Sequence, residues 1–176
     1  LLGSALIDPV RLKMIEEINR DEASGRLYIS SYLTQQGQGQ WADVLREAAR
    51  FGTDDSLAQT IIANGMLNKQ AQRKKPKGGY TWVDIPHNAS QVLAEAEYNN
   101  FFCRGLSSYA IDQGIQRLQV YRARYSKNPR QESEQKIGLL VEPTTILTDL
   151  RVSQGVESAL GIPPGPGSGI SLRIPK

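Results

Sequence analysis

The stretch NASQVLAEAEYNNFFCRGLSSYAIDQG, Asn88 to Gly114, constrains this chain more than any other part of it. It contains no proline, and Val92, Leu93, Ala96, Cys103, Leu106 and Ala110 recur at the i, i+3, i+4, i+7 spacing of one helical stripe, with Phe102 and Tyr109 beside it. The pattern predicts a single long helix over 88–113, ended by Gly114. Gly105 inside such a helix costs about 1 kcal/mol relative to alanine, so a close approach of another backbone, or a kink, is expected there. A helix this long needs other layers to cover it, and the remaining segments must supply them.

After that helix, RLQVYRARY alternates as a strand, with Leu118, Val120, Arg122 and Arg124 on one face and Gln119, Tyr121, Ala123 and Tyr125 on the other. NPRQESEQKIG reads as a short helix capped by Asn128 with Pro129 at its first position, and EPTTILTDLR repeats the formula. The tail IPPGPGSGISLRIPK cannot be helical over its first half, and ISLRI alternates as a final sheet edge. Before the long helix, DPVRLKMIEEINRD predicts a helix over 9–21, with Val10, Met14, Ile15 and Ile18 on its inner face. RLYISSYL reads as a short strand or extended segment, and the following glutamines and glycines read as a polar loop. WADVLREAARFG and TDDSLAQTIIANG are two short helices, each stopped by glycine, the second capped by Thr53 or Asp54. MLNKQAQ and YTWVDIP then flank RKKPKGG as two antiparallel strands around a basic, glycine-closed loop.

The expected class is therefore α+β. A helical and hairpin region occupies 1–87, and 88–176 is built on the long helix packed on a small sheet, with a Pro/Gly-rich tail. The order of two short helices and a basic hairpin over 41–86 admits a winged-helix-like reading.

At 176 residues, 39% hydrophobic and 22% charged, the chain is globular in composition rather than disordered. One cysteine excludes an internal disulfide and favours a reducing, cytoplasmic setting. The opening LLGSALIDP lacks a basic n-region and a long apolar core, so no secretory signal is expected, and no apolar run is long enough to span a membrane.

The net charge of +3 is mild, and its distribution carries more information. Lys69, Arg73, Lys74, Lys75 and Lys77 form one acid-free basic segment, and Arg117, Arg122, Arg124, Lys127 and Arg130 form another. In the wing reading, the hairpin tip meets backbone phosphate while the helix at 54–64 enters the major groove. That helix opens on Asp54 and Asp55 and carries no cation, so the competing reading is a helical pair with a solvated hairpin. On the arginine strand, guanidinium groups suit phosphate or carboxylate, and Tyr121 and Tyr125 offer faces on which a base stacks. Ion pairs with Glu132, Glu134 or Asp149 are the ordinary alternative.

Catalytic motifs are sparse. His87 is the only histidine and Cys103 the only cysteine, so no Cys/His zinc site and no serine triad can be built from ordinary motif spacing. His87 reads as a residue flanking a helix cap, and Cys103 reads as core. Glu132 to Lys136 resembles an acid-x-lysine element but opens a helix, and Glu95 and Glu97 point apart at i, i+2. Gly167 to Gly169 lacks the lysine and Ser/Thr of a phosphate loop, although its amides suit an anion nest.

Taken together, these observations favour a non-enzymatic binding or assembly protein that contacts nucleic acid through the ten basic residues named above, with no cofactor, no metal and no membrane partner. One alternative is a structural subunit of a homo-oligomeric or phage-like assembly, in which the C-terminal tail and the glutamine loop latch neighbouring copies. The other is a small enzyme that holds a phosphorylated substrate with Arg104, Arg122 and Arg124.

Overall fold

A computed structural model describes residues 8–125, 129, 131–154, 158–163 and 167–175. Among these residues the chain runs α1 (Asp8–Ala23), α2 (Gln35–Phe51), α3 (Asp54–Ala63), β1 (Gln70–Lys74), β2 (Tyr80–Asp84), α4 (Ala89–Asp112), β3 (Leu118–Arg122), α5 (Gln131–Glu134), β4 (Leu140–Val141), α6 (Pro143–Val152) and β5 (Ile170–Arg173). The class is α+β, as expected.

The long helix α4 is the centre about which the others are laid: α1, α2, α3, α6 and β5 all pack on it. Because it is covered from several sides, its buried set is wider than one stripe. Ala94, Tyr98 and Phe101 are buried in addition to Leu93, Phe102, Cys103, Leu106 and Ala110, whereas Val92 of the expected stripe lies at the surface. Gly105 is where α1 crosses: a Cβ there would sit 2.7 Å from Met14 Cγ, 2.9 Å from the Met14 amide nitrogen and 3.0 Å from the Val10 carbonyl oxygen. The expected approach of another backbone is the reason for this glycine.

The glutamine-glycine segment, expected as a loop, is instead the first part of α2. Thr34 is extended and its hydroxyl accepts from the Gly37 amide at 2.9 Å, which starts the helix six residues before Trp41. Gly37 is small for a packing reason, since a Cβ would lie 2.6 Å from the Met66 carbonyl oxygen. At the other end, Arg11 donates to the Ala49 and Gly52 carbonyls at 2.8 and 3.2 Å, satisfying acceptors that the helix terminus leaves open. The helix α3 starts at once with a capping box, Thr53 Oγ1 accepting from the Ser56 amide and Ser56 Oγ from the Thr53 amide.

Strands β1 and β2 form a separate two-stranded antiparallel sheet. Arg73 and Lys74 belong to β1 rather than to the turn, which spans 75–79. Lys75 donates to Gly79 and Gly78 to Lys75, and Gly78 and Gly79 take the positive φ of 91° and 77° that this tight reversal requires. The base is tied down by Ile85 donating to the Lys69 carbonyl, by the Leu33–Leu67 bridge and by Asn68 bonding Tyr32 and Leu33 carbonyls.

The second sheet is antiparallel in the order β4-β3-β5, with Leu118, Val120, Ile170 and Leu172 buried and β5 packed on α4. The tail thus adds the expected edge strand, while the two-residue β4 has no counterpart in the sequence reading. The cap proposed at Asn128 lies outside the described residues. One continuous hydrophobic cluster draws on residues from both the 1–87 and the 88–176 regions, from Val10 to Leu172.

Two of the three helical glycines, Gly105 and Gly39, predict opposite responses. Gly105→Ala should lower stability by about 1–2 kcal/mol, because overpacking outweighs the gain in helix propensity. Gly39→Ala, with nothing within 4 Å of its added Cβ, should raise it by about 0.5–1 kcal/mol. Urea denaturation of both variants checks the pair, and equal shifts would contradict the close α1–α4 crossing.

Candidate nucleic-acid interface

The register of the hairpin sorts its side chains into two faces. Gln70, Gln72 and Lys74 stand opposite Asp84, Trp82 and Tyr80, and cross-strand partners share a face. All six are exposed, whereas on the other face Ala71 is buried and Thr81 and Val83 are half-buried. Tyr80 and Trp82 remain 65% and 63% accessible, although each is a large aromatic two residues from the next on one strand. Asp84, the acid of this face, accepts a hydrogen bond from Gln70 Nε2 at 2.8 Å. Lys69, Arg73, Lys74, Lys75 and Lys77 are all exposed, and no ion pair among the described residues engages any of them. The hairpin therefore offers an uncompensated positive tip beside an open aromatic face.

The second basic segment is disposed differently. Arg117 meets Glu142 at 3.1 Å, and Arg122 pairs with Glu134 while donating to the Ser168 carbonyl at 3.0 Å. Arg124 reaches Asp54 at 2.8 Å, Asp55 at 2.9 Å and Glu95 at 2.7 Å, which ties the end of β3 to the starts of α3 and α4. Lys127 and Arg130 lie outside the described residues. Of the carboxylates expected to pair with this strand, Glu134 does so. Asp149 instead accepts from the Ala159 and Leu160 amides at 3.0 and 2.9 Å. Tyr121 is half-buried with the Arg173 guanidinium 5.1 Å from its ring centre, whereas Tyr125 is 83% accessible, so of the two tyrosines on this segment only Tyr125 stands fully open.

Three carboxylates around one guanidinium leave the start of α3 with net negative charge. Hydrogen bonds from Arg124 and Gln91 hold the Asp55 carboxyl below its ordinary range, so the charge is present at neutral pH. This is the end that a major-groove helix would offer to phosphate, and the rest of α3 carries no lysine or arginine to offset it.

The residues weighed for catalysis are dispersed. His87 is exposed ahead of α4. Cys103 is buried, and burial pushes its thiol up to about 12, so it stays protonated. Lys136 donates to the Leu160 and Gly161 carbonyls at 3.0 and 2.9 Å. The Gly169 carbonyl accepts from the Ala123 and Arg124 amides, and a side chain at Gly169 would strike the Arg124 carbonyl. Among the described residues no cluster of His, Cys, Asp or Glu could hold a metal ion, and no helix is long and apolar enough to cross a membrane.

Arg104 lies apart from the hairpin, between α1 and α4, and is fully buried. Its guanidinium donates to Glu17 at 2.7 and 3.0 Å and to Asp21 at 2.6 and 2.8 Å. Arg151 of α6 clamps the same Glu17 at 2.5 and 3.0 Å. Burial disfavours a charged Glu17, but the hydrogen bonds from Arg151 and Arg104 outweigh it and hold the carboxyl below its ordinary value. Glu97 lies at the edge of this cluster, buried, and desolvation pushes its carboxyl up to about 8; Arg104 opposes the shift and Asp21 adds to it. All three arginines considered for a phosphorylated substrate, Arg104, Arg122 and Arg124, are thus bound to carboxylates. The sequence placed Arg104 beside an apolar stripe; its pairing with Glu17 and Asp21, i, i+4 neighbours far away in the chain, has no local signature.

Comparison of the chain with protein-family models, with curated proteins and with solved structures finds no match in any of the three, so the site is read from its own geometry.

The buried carboxyl sets a pH dependence whose sign is fixed. Between the ordinary carboxyl value of 4.5 and about 8 the folded chain keeps a proton on Glu97 that the unfolded chain has released. Stability therefore falls as pH rises through that window, by up to about 1.4 kcal/mol per unit, and levels off above it. Glu17 acts outside the window, its contribution being lost as pH drops below 4.5. Denaturant midpoints at pH 5.5 and 7.5 should differ in the wild type and converge in Glu97→Gln. An unchanged difference in the variant would place the titrating group elsewhere.

Proposed function

We propose that the protein binds nucleic acid through the β1–β2 hairpin, with Lys69, Arg73, Lys74, Lys75 and Lys77 meeting backbone phosphate. The observation that carries this reading is the contrast between the two basic segments: the described arginines of the second are answered by carboxylates, while the five hairpin cations are exposed and have no ion-pair partner among the described residues. Lysines on a projecting turn act as point charges that attract phosphate without reading sequence. Burial of Ala71 and the ties at the hairpin base hold the tip in place relative to the core. In chain order the hairpin follows α2 and α3 as a wing follows a helix-turn-helix, but the acidic start of α3 makes the hairpin, not that helix, the contact element.

Retention on heparin and titration of labelled oligonucleotides at 50 and 200 mM salt test this. With four phosphates neutralised, the log–log dependence of affinity on salt should have a slope of about −3 to −4. Replacing Lys74, Lys75 and Lys77 together by alanine should abolish retention, whereas Arg117→Ala should leave it nearly unchanged. Undiminished binding by the triple variant would refute the proposal.

A further inference from the structure

The basic tip accounts for attraction to phosphate but leaves Tyr80 and Trp82 without a role. Neither ring serves the core, since both point away from the face on which Ala71 is buried. Adjacent exposed aromatics are costly to keep in water and are a common mark of a binding surface. They share their face with Gln72, directly across from Trp82, and with Lys74, directly across from Tyr80. Beyond Tyr80 the turn adds Lys75 and Lys77. The face thus runs from a polar end at Gln70 and Asp84, across two rings, to a cluster of positive charge.

Building on the proposed contact with nucleic acid, we propose that this face binds single-stranded nucleic acid, with one base stacked on Tyr80, the next on Trp82, and the backbone turned toward the lysines of the tip. Three features support a single strand over a duplex. An aromatic ring can stack only on a base that is not already paired and stacked within a helix. Residues two apart on a strand are separated by about 6.7 Å, about twice the rise per base of a duplex strand, so bases seated on both rings are splayed apart. The helix that precedes the hairpin in the chain and would have to enter a duplex groove, α3, presents Asp54 and Asp55 at its start. Stacking tolerates every base, and the single amide of Gln72 beside the rings supplies little discrimination, so the preference is for strandedness and not for sequence.

The two tryptophans make the test direct. Trp41 is fully buried, its indole N–H bonded to the Tyr28 carbonyl at 3.0 Å, so a ligand at the surface perturbs the emission of Trp82. The full chain is titrated with oligothymidine and oligouridine 12-mers and with a mixed-sequence 12-base-pair duplex, at low and moderate salt. The proposal expects saturable quenching by both single strands, weaker binding and no comparable quenching by the duplex, and affinity for single strands reduced about 5- to 150-fold in Trp82→Ala. The salt slope of that variant should match the wild type, and Trp82→Phe should recover most of the affinity. Both substitutions are at an exposed position, and the remaining Trp41 emission reports that the fold is intact. Single strands that bind with the expected salt slope but without quenching, and without an effect of Trp82→Ala, would overturn stacking while leaving phosphate binding in place. Equal quenching and affinity with the duplex would overturn it too. Failure of every oligonucleotide to bind at low salt would overturn both readings. Trp82 emission that shifts with protein concentration alone, together with a dimer in size-exclusion chromatography, would assign the aromatic face to a second copy of the chain instead.

Discussion

A guanidinium without access to solvent has to be answered by carboxylates, and the placement of Arg104 on the inner side of α4 governs how α1 and α6 lie against that helix. Glu17 and Asp21 are one helical turn apart on α1, on the face that also carries Val10, Met14 and Ile18. Sliding α1 along α4 by one turn, about 5.4 Å, would take both acids away from Arg104 and leave a buried charge uncompensated. Such a loss typically costs about 3–5 kcal/mol, even though a well-packed apolar replacement of the whole cluster would cost little. The pairing therefore acts on register more than on total stability. Gly105, the next residue along, sets the distance, because only a missing side chain allows the Met14 backbone so close. Two consecutive residues thus determine where α1 sits, and Arg151 extends the same constraint to α6 through Glu17.

The same logic sorts the cations of the whole molecule. Arginine dominates where a positive group joins elements: Arg11 at the end of α2, Arg104 between α1 and α4, Arg122 on Glu134, Arg124 across α3 and α4, Arg151 on Glu17. Its planar fork satisfies several acceptors at once. The hairpin tip is mostly lysine, a strongly hydrated point charge on a flexible stem that needs no fixed partner. The two basic segments therefore differ in kind, the described arginines of one engaged by carboxylates and the cations of the hairpin left in water.

How far the sequence disclosed this depends on whether the cause is local. The capping of α3 by Thr53, the proline start of α6, the glycine-closed hairpin and the length of α4 were legible, because each rests on residues a few positions apart. The start of α2 was misread because glycine and glutamine carry the composition of a loop; the Thr34 cap and the contact that fixes Gly37 against Met66 come from outside the segment. The arginine strand could be read as a ligand site because its acids, Asp54, Asp55 and Glu95, are distant in the chain. The aromatic face was within reach: in YTWVD, period-two alternation already puts Tyr80, Trp82 and Asp84 on one side and Thr81 and Val83 on the other. What alternation alone could not supply was which side faces the body, and that is decided by the burial of Ala71.

An isolated two-stranded hairpin is marginal in water, so this one holds its shape through its base. Ala71 in the core, the Lys69–Ile85 hydrogen bond, the Leu33–Leu67 bridge and the Asn68 side chain fix the two strands before they leave the body. Beyond that base, the exposed face contributes almost nothing to the core, and its residues can change without disturbing the α1–α4 crossing. Folding alone gives no reason for Tyr80 and Trp82 there, because polar or β-branched residues would pair across the strands as well and leave less apolar surface in water. Their exposure beside four lysines and an arginine fits the proposed ligand, which has both flat apolar faces and regularly spaced negative charge. Under the proposed function an unpaired nucleotide strand combines those two properties, with its bases over the rings and its backbone following the charge that lies beyond Tyr80, at Lys74, Lys75 and Lys77.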